Sequence, residues 1–215
     1  MLASASPRRQ VLIGLLGLPW QARPADVDEA GFVLREPVVS ALNIALMKAR
    51  RVQPAEDGEV IVAADTIVAS DDRVLGKPAD AVAATRMLAG LRGRTHDVVT
   101  GVALRTCAGL EWGAVVATRV IMRSYADAEI AAYVERGEPF DKAGGYAVQD
   151  AQFRPAERLE GCYLNVVGLP LCAVAAGLNA LGVATEPAAG APPCQYCRAG
   201  APRVAIGAQD TERSP

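Results

Sequence analysis

The sequence predicts an α/β fold in which helices pack on a sheet built around one strongly apolar segment. That segment is 60–68, V-I-V-A-A-D-T-I-V. It is too short for a helix and rich in β-branched residues, so we expect a strand buried on both faces. The stretches 95–106 and 112–123 alternate apolar and polar residues around Gly109 and predict an antiparallel hairpin. Segments with helical apolar spacing precede and follow these strands.

Composition favours a single cytoplasmic domain with a small partner. The chain has 215 residues, 51% of them hydrophobic and 21% charged, which is enough for a sizeable core. A net charge of -2 argues against stable binding to nucleic acid or to a membrane surface. We find neither an apolar run long enough to span a membrane nor the pattern of a secretory signal.

Cysteine and histidine content limits the chemistry. An odd number of scattered cysteines predicts free thiols in a reducing compartment. His96 is the only histidine, which excludes a multi-histidine metal site, so any metal would be an oxygen-bound cation such as Mg²⁺ or Mn²⁺. Because His96 alternates with Val98 and Val102, we expect it to point into a sheet face. The cysteines are Cys107, Cys162, Cys172, Cys194 and Cys197.

Asp65 is the first candidate for a catalytic or metal-binding group. A carboxylate inside an apolar run is costly to bury without a partner. We therefore expect Asp65 and Thr66 to lie where the strand leaves the core, since ligands of open α/β sheets bind at the carboxyl ends of strands. The alternative is that Asp65 only caps a turn.

The N-terminal segment predicts a phosphate site. After a short strand ending at Leu2 and Ala3, Pro7 suits the first position of a helix with Ser6 as N-cap. Arg8 and Arg9 then lie in the first turn, where cations oppose the helix dipole, so their expected purpose is to bind an anion, together with Ser4 and Ser6. The alternative is a solvated arginine pair. The apolar face of this helix is predicted as Val11, Leu12, Leu15 and Leu16, with Gly17 as C-terminal cap.

Other charged residues give weaker sequence evidence for a place in the site. Lys48 lies off the apolar stripe of a helix that opens at Glu36 and Pro37, and by itself it is expected to be a surface residue. Lys77 lies between Gly76 and Pro78, which fix the backbone on both sides, so we expect it in the site. The acids of 26–29 form a loop cluster that either is solvated or recruits Mg²⁺.

The C-terminal part contains the densest motif. The glycines, charges and aromatic ring of 137–149 predict a loop that approaches a ligand, although Glu138, Asp141 and Lys142 could simply pair with one another. Residues 163–168 are predicted to form a strand and 169–181 a last helix. Residues 186–215 are predicted to be a disordered tail, and one C-x-x-C pair there is weak evidence for metal.

Six blocks along the chain resemble the Maf, or septum-formation inhibitor, family of nucleoside triphosphate pyrophosphatases. They occur in the family order, and together they cover a domain over 1–185. The blocks are L-A-S-A-S-P-R-R at 2–9, A-A-D-T-I-V at 63–68, G-K-P at 76–78, G-R-T-H-D-V-V-T-G-V at 93–102, E-P-F-D-K-A-G-G-Y-A-V-Q at 138–149 and N-V-V-G-L-P at 165–170.

The resemblance implies a fold, a reaction and residue roles. The fold would be an elongated mixed sheet flanked by helices, with two lobes and a deep cleft, similar to inosine triphosphate pyrophosphatases. Asp65 would be the proton acceptor and Glu29 a metal-site carboxylate, with Mg²⁺ or Mn²⁺ as cofactor. The substrate-specificity positions would be Arg8, Thr66 and Gln149. Phosphates would be held by Ser4, Ser6, Arg9, Lys48 and Lys77.

The implied activity is hydrolysis of pyrimidine nucleoside triphosphates to the monophosphate and pyrophosphate, by a cytoplasmic homodimer that clears non-standard nucleotides. The dTTP/UTP branch is indicated by the SPRR and D-K-A-G-G-Y-A-V-Q forms, with CTP and modified pyrimidine nucleotides as further candidate substrates. Two alternatives stay open: a 7-methyl-GTP pyrophosphatase, and a nucleotide-binding regulator of cell division with little turnover.

Overall fold

The computed structural model of the protein describes residues 1–28, 36–71 and 73–185. These residues form an open antiparallel sheet with helices on both faces, as predicted for an α/β fold. The strands are β1 (Val60–Ser70), β2 (Arg73–Leu75), β3 (Thr95–Thr106), β4 (Glu111–Met122) and β5 (Ala156–Glu160). The helices are α1 (Pro7–Gly14), α2 (Pro37–Arg51), α3 (Ala81–Leu91), α4 (Asp127–Glu135), α5 (Tyr163–Val167) and α6 (Leu171–Ala180).

The strand order is β2-β1-β3-β4-β5, and each neighbouring pair is antiparallel. The predicted hairpin is confirmed as β3 and β4. Within the part of the chain that the structure describes, parallel pairing is limited to Leu2, which makes isolated bridges to Val62 and Ala22. The predicted first strand is therefore no more than a bridge.

Among the described residues, the outer edge of β1 has strand partners at both ends and none in the middle. Leu2 bridges Val62, and β2 pairs only with the end of β1, from Val68 to Ser70. Asp65 and Thr66 lie between these two contacts, at the centre of β1. The expectation that they lie where the strand ends is therefore wrong: the strand continues to Ser70, and the uncovered edge gives the two residues access to a cleft instead.

Helix α2 covers one face of the sheet, and the remaining helices pack on the other. Ala45 and Ala49 of α2 pack on Ile61 and Ala63 of β1. On the opposite face Val62 joins a core cluster with α1 and α6. Because successive side chains of a strand point to opposite faces, Asp65 lies on the α2 side and Thr66 on the α1 side.

Three local predictions are corrected. The predicted strand over 163–168 is helix α5 (Tyr163–Val167) followed by Gly168 as its C-terminal cap. Leu164 and Asn165 are buried by tertiary contacts that outweigh the β propensity of the two valines. Val11 is 70% exposed, so the apolar face of α1 is centred on Leu12 and Ile13. Cys172 is disulfide-bonded, contrary to the expectation of free thiols.

The described helices are all too short or too polar to cross a membrane. The predicted metal-site residue Glu29 and the predicted tail over 186–215 lie outside the described residues.

Candidate active site

A cleft of about 660 Å³ opens along the uncovered edge of β1. It is bounded by the start of α1, by α2, by the turn after β2, by the loop that follows α4 and by the end of α5. Every predicted site residue that the structure describes lines this cleft. They are Ser4, Ser6, Arg8, Arg9, Lys48, Asp65, Thr66, Lys77 and Gln149.

The charge of the cleft suits a polyphosphate. Its described lining residues include five cations and two carboxylates, which leaves an excess of three positive charges. Four of the cations were predicted from sequence. The fifth, Lys142, was not predicted to be a site residue. It belongs to the glycine-rich motif of 137–149, for which the sequence allows both a loop that approaches a ligand and a surface charge cluster. The second carboxylate is Asp141.

Asp65 lies at the floor of the cleft in a buried ion pair. The Nζ atom of Lys48 lies 2.8 Å from Oδ1 of Asp65, and the two side chains are 10% and 11% exposed. Lys48 is therefore not a surface lysine, because α2 approaches the sheet closely enough to direct it inward. Among the described residues only Oδ1 of this carboxylate has a hydrogen-bond partner, so Oδ2 is available to accept a proton or a ligand.

The start of α1 borders the cleft as predicted, with Pro7 in the first turn. Ser6 occupies the N-cap position, but its side chain makes no capping hydrogen bond in the described structure, and its own amide donates to Oγ of Ser4 at 3.2 Å. The first amides of α1 are therefore not satisfied by the N-cap side chain. They can donate to an anion such as a phosphate.

Arg8 and Arg9 have different surroundings. Nη1 of Arg8 lies 2.7 Å from Oδ2 of Asp141, so this ion pair crosses the mouth of the cleft from α1 to the loop after α4. Arg9 lies along the cleft wall, where Nε donates to the carbonyl of Gly168 at 2.8 Å and Nη2 donates to Oγ1 of Thr66 at 3.0 Å. The alternative of a solvated arginine pair is therefore wrong.

The loop after α4 lines the cleft and also contains paired charges, so both interpretations of the motif at 137–149 apply. Lys142 donates to Oδ1 of Asp141 at 2.6 Å and to Oε2 of Glu138 at 3.2 Å, so the three charged residues do pair with one another. Burial raises the pKa of Asp141, but hydrogen bonds from Lys142 and Arg8 outweigh it, so the pKa lies below the usual value. Asp141 is thus ionised at neutral pH.

Beneath this loop His96 points into a sheet face, as predicted. Its Nε2 atom lies 2.7 Å from the hydroxyl of Tyr146, a residue that lines the cleft. Burial lowers the pKa of His96 to about 4 and raises the pKa of the Tyr146 hydroxyl above its usual value. Both groups are therefore neutral at pH 7.

The two remaining predicted residues lie at the rim. Lys77 and Gln149 are exposed at the cleft and belong to different segments, the turn after β2 and the loop after α4. The cleft therefore brings together residues from segments far apart in the chain, from Ser4 to Gln149.

The described residues contain no group of three or more metal-ligating side chains. Whether the cleft suits Mg²⁺ or Mn²⁺ therefore depends on the oxygen atoms that its side chains can offer to a cation. Mg²⁺ is usually held by one or two carboxylates together with substrate phosphates and water. Asp65, whose Oδ2 atom is available, meets that requirement.

Comparison with known proteins gives consistent matches over nearly the whole described chain. The family model described as Maf-like protein matches residues 1–181. A protein of Thermomicrobium roseum named dTTP/UTP pyrophosphatase is 45% identical over 204 residues, which cover 92% of each chain. Proteins with the same name from Anaeromyxobacter dehalogenans and Citrifermentans bemidjiense are 48% and 42% identical, covering 85% of this chain and 93% and 95% of their own.

Proposed function

This chain belongs to the Maf-like protein family, and on that premise we propose that it hydrolyses dTTP and UTP to the monophosphate and pyrophosphate. The observation that carries the proposal is the cleft itself, which places a buried carboxylate among five cations. A nucleoside triphosphate supplies the negative charge that this excess of cations would neutralise. The names of the relatives supply the substrate class.

In the proposed reaction a water molecule attacks the α-phosphorus. A bond forms between the water oxygen and phosphorus, the bond to the bridging oxygen of the β-phosphate breaks, and pyrophosphate leaves. Asp65 would take the proton of the water, since its Oδ2 atom is available while Lys48 fixes the orientation of the carboxylate through Oδ1. The buried ammonium of Lys48 also offsets the cost of holding this charge away from water.

The phosphates would be held by the cations and by the start of α1. Arg8, Lys77 and Lys142 approach the cleft from three segments, so they can surround a polyphosphate and stabilise the charge on the leaving pyrophosphate. The first amides of α1 would add donors without charge. The rim residue Gln149 offers an amide that can both donate to and accept from a base edge.

We propose Mg²⁺ or Mn²⁺ as cofactor, held by Asp65 and by Glu29. Such a cation would neutralise charge on the phosphate oxygens and so favour attack at phosphorus. We further propose that the protein is a homodimer, as the family resemblance implies, and that it is cytoplasmic, as its composition favours. Sedimentation of the purified protein tests its oligomeric state.

The decisive experiment measures pyrophosphate release from dTTP, UTP, GTP and 7-methyl-GTP by the unaltered protein and by Asp65→Asn. We expect turnover of dTTP and UTP, reduced by at least about 1,000-fold in the variant. Asp71→Asn is the matched control, because Asp71 forms a surface ion pair with Arg94 and its positive φ of 47° suits asparagine. The control should retain full activity.

Other outcomes have definite meanings. Turnover of 7-methyl-GTP alone would replace the proposed substrate class. Nucleotide binding without any turnover would favour the regulator of cell division. Equal losses in Asp65→Asn and Asp71→Asn would show that Asp65 has no special role.

A further inference from the structure

The hydroxyl of Thr66 belongs to a chain of hydrogen bonds that runs from the cleft into the core. Nη2 of Arg9 donates to Oγ1 of Thr66 at 3.0 Å, and Oγ1 of Thr66 lies 2.9 Å from Oγ1 of Thr100. Oγ1 of Thr100 donates to the backbone carbonyl of Asn165 at 3.2 Å. Thr100 and Asn165 are completely buried, so water cannot replace either partner.

The direction of every bond in this chain follows from counting protons. A carbonyl only accepts, so Thr100 must give its single hydroxyl proton to Asn165. Thr100 then has only lone pairs to offer, and the bond between the two threonines must be donated by Thr66. A guanidinium only donates, so Thr66 accepts from Arg9. The single hydroxyl proton of Thr66 is therefore already used in its hydrogen bond to Thr100.

The end of the chain is rigidly held. The side-chain amide of Asn165 donates to the carbonyl of Val98 and to Oγ1 of Thr118, both at 2.9 Å. Thr118 in turn accepts from the amide of Cys162 at 3.0 Å, so α5 is fixed to both β3 and β4. The carbonyl that receives the proton of Thr100 therefore cannot easily move away.

We propose that this chain makes Thr66 an obligate acceptor in the cleft and thereby selects uracil and thymine over cytosine. Uracil and thymine carry a hydrogen at N3, whereas N3 of cytosine carries a lone pair. In this proposal Oγ1 of Thr66 faces N3 of the base, where a group that can only accept binds uracil and thymine and opposes cytosine. Facing position 4, the same acceptor would instead favour the amino group of cytosine. Thr100 and Asn165 are positioning residues in this scheme, since neither contacts the substrate, and Thr66 determines specificity.

The proposal rests on the proposed function and refines it by excluding CTP as a good substrate. A Thr66 hydroxyl that rotated freely could donate to cytosine as readily as it accepts from uracil, and so would not distinguish the two bases. The polarity of the buried chain removes that freedom.

The test compares kcat/KM for UTP and CTP in the unaltered protein, in Thr100→Val and in Thr100→Ser. Valine keeps the shape of threonine but removes the hydroxyl, which frees the proton of Thr66. We expect the unaltered protein to prefer UTP by at least about tenfold and this preference to fall at least about fivefold in Thr100→Val. Thr100→Ser keeps the hydroxyl and should keep the preference.

A ratio of two substrates is insensitive to a general loss of folded protein, so a merely structural role of Thr100 would not move it. A second measurement avoids variants altogether: N3-methyl-UTP lacks the N3 hydrogen and should be hydrolysed at least about tenfold less efficiently than UTP. An unchanged preference in Thr100→Val, equal use of UTP and CTP, or equal use of UTP and N3-methyl-UTP would overturn the proposal. Absence of all UTP hydrolysis would instead overturn the proposed function.

Discussion

Lys48 on α2 and Asp65 on β1 form a buried ion pair, with 2.8 Å between Nζ and Oδ1. The pair joins helix α2 to the middle of strand β1 at the base of the cleft. It exists because α2 lies close to β1 and β3, and it places the proposed proton acceptor in a defined orientation. Stability and activity are therefore linked at this position.

Replacement of Lys48 by methionine should lower the free energy of unfolding by about 3 kcal/mol, because the buried carboxylate of Asp65 would lose its partner. Urea denaturation at pH 7 measures this change. The double variant Lys48→Met/Asp65→Leu removes both charges, so it should recover most of the lost stability although it cannot be active. A double variant less stable than Lys48→Met would contradict the role given to the ion pair.

Gly101 determines how closely α2 approaches the sheet. A Cβ atom at this position would lie 2.3 Å from the backbone oxygen of Ala41, which cannot yield without moving α2. Gly101→Ala should therefore cost about 1–3 kcal/mol of stability and reduce turnover, because it displaces Lys48. Thermal unfolding and pyrophosphate release measure the two effects.

Gly113→Ala is the control for this prediction. A Cβ atom there would lie 2.9 Å from Cδ1 of Leu42, the end of a flexible side chain that can adopt another rotamer. The expected loss of stability is smaller, below about 1 kcal/mol, with turnover unchanged. If the two glycine variants behaved alike, close backbone packing of α2 would not be the reason for glycine at position 101.

The ion pair between Arg8 and Asp141 competes with phosphate binding. Because Asp141 is ionised and bound to the guanidinium, a substrate phosphate must displace it. Asp141→Asn should therefore lower KM for UTP about threefold to tenfold, with little loss of stability because this carboxylate is 58% exposed. Steady-state kinetics measure the change.

Asp127→Asn provides a matched control, since Asp127 pairs with Arg92 outside the cleft and is 88% exposed. It should leave KM unchanged. A higher KM in Asp141→Asn would mean that Asp141 holds Arg8 in its productive position and does not compete with the substrate.

His96 should make stability depend on pH. Its pKa is about 4 in the folded protein and 6.5 in an ordinary setting, so the unfolded chain binds the proton more readily. The contribution of neutral His96 to the free energy of unfolding is fully present above about pH 6.5. It is lost as the pH falls toward 4, by at most about 1.4 kcal/mol per pH unit. His96→Gln still offers Tyr146 a polar partner but does not titrate in this range.

Urea denaturation across this pH window tests the prediction. The variant should lose stability less steeply than the unaltered protein as the pH falls. Parallel pH dependences in the two proteins would show that carboxylates and not His96 dominate acid unfolding.

Much of the fold could be predicted from local patterns. The alternation of 95–106 and 112–123 determined the hairpin, because a two-residue period is a direct consequence of strand geometry. The short β-branched apolar run of 60–68 determined β1, because such a run suits a strand buried on both faces. The prediction of a strand over 163–168 was wrong because it depended on local propensity alone. The valines of this segment favour a strand in isolation, but the buried contacts of Asn165 hold a helix.

The sequence by itself determined nine described residues that all line one cleft, although it did not single out Lys142. Only the tertiary structure decided which partner each of these side chains has there. Lys48 was predicted to be a surface residue, but the packing of α2 on the sheet places it in an ion pair with Asp65. The hydroxyl of Thr66 has a fixed direction only because β3 places Thr100 beside it. Local spacing determines which residues share an element, but proton direction and ion pairing depend on contacts between segments far apart in the chain.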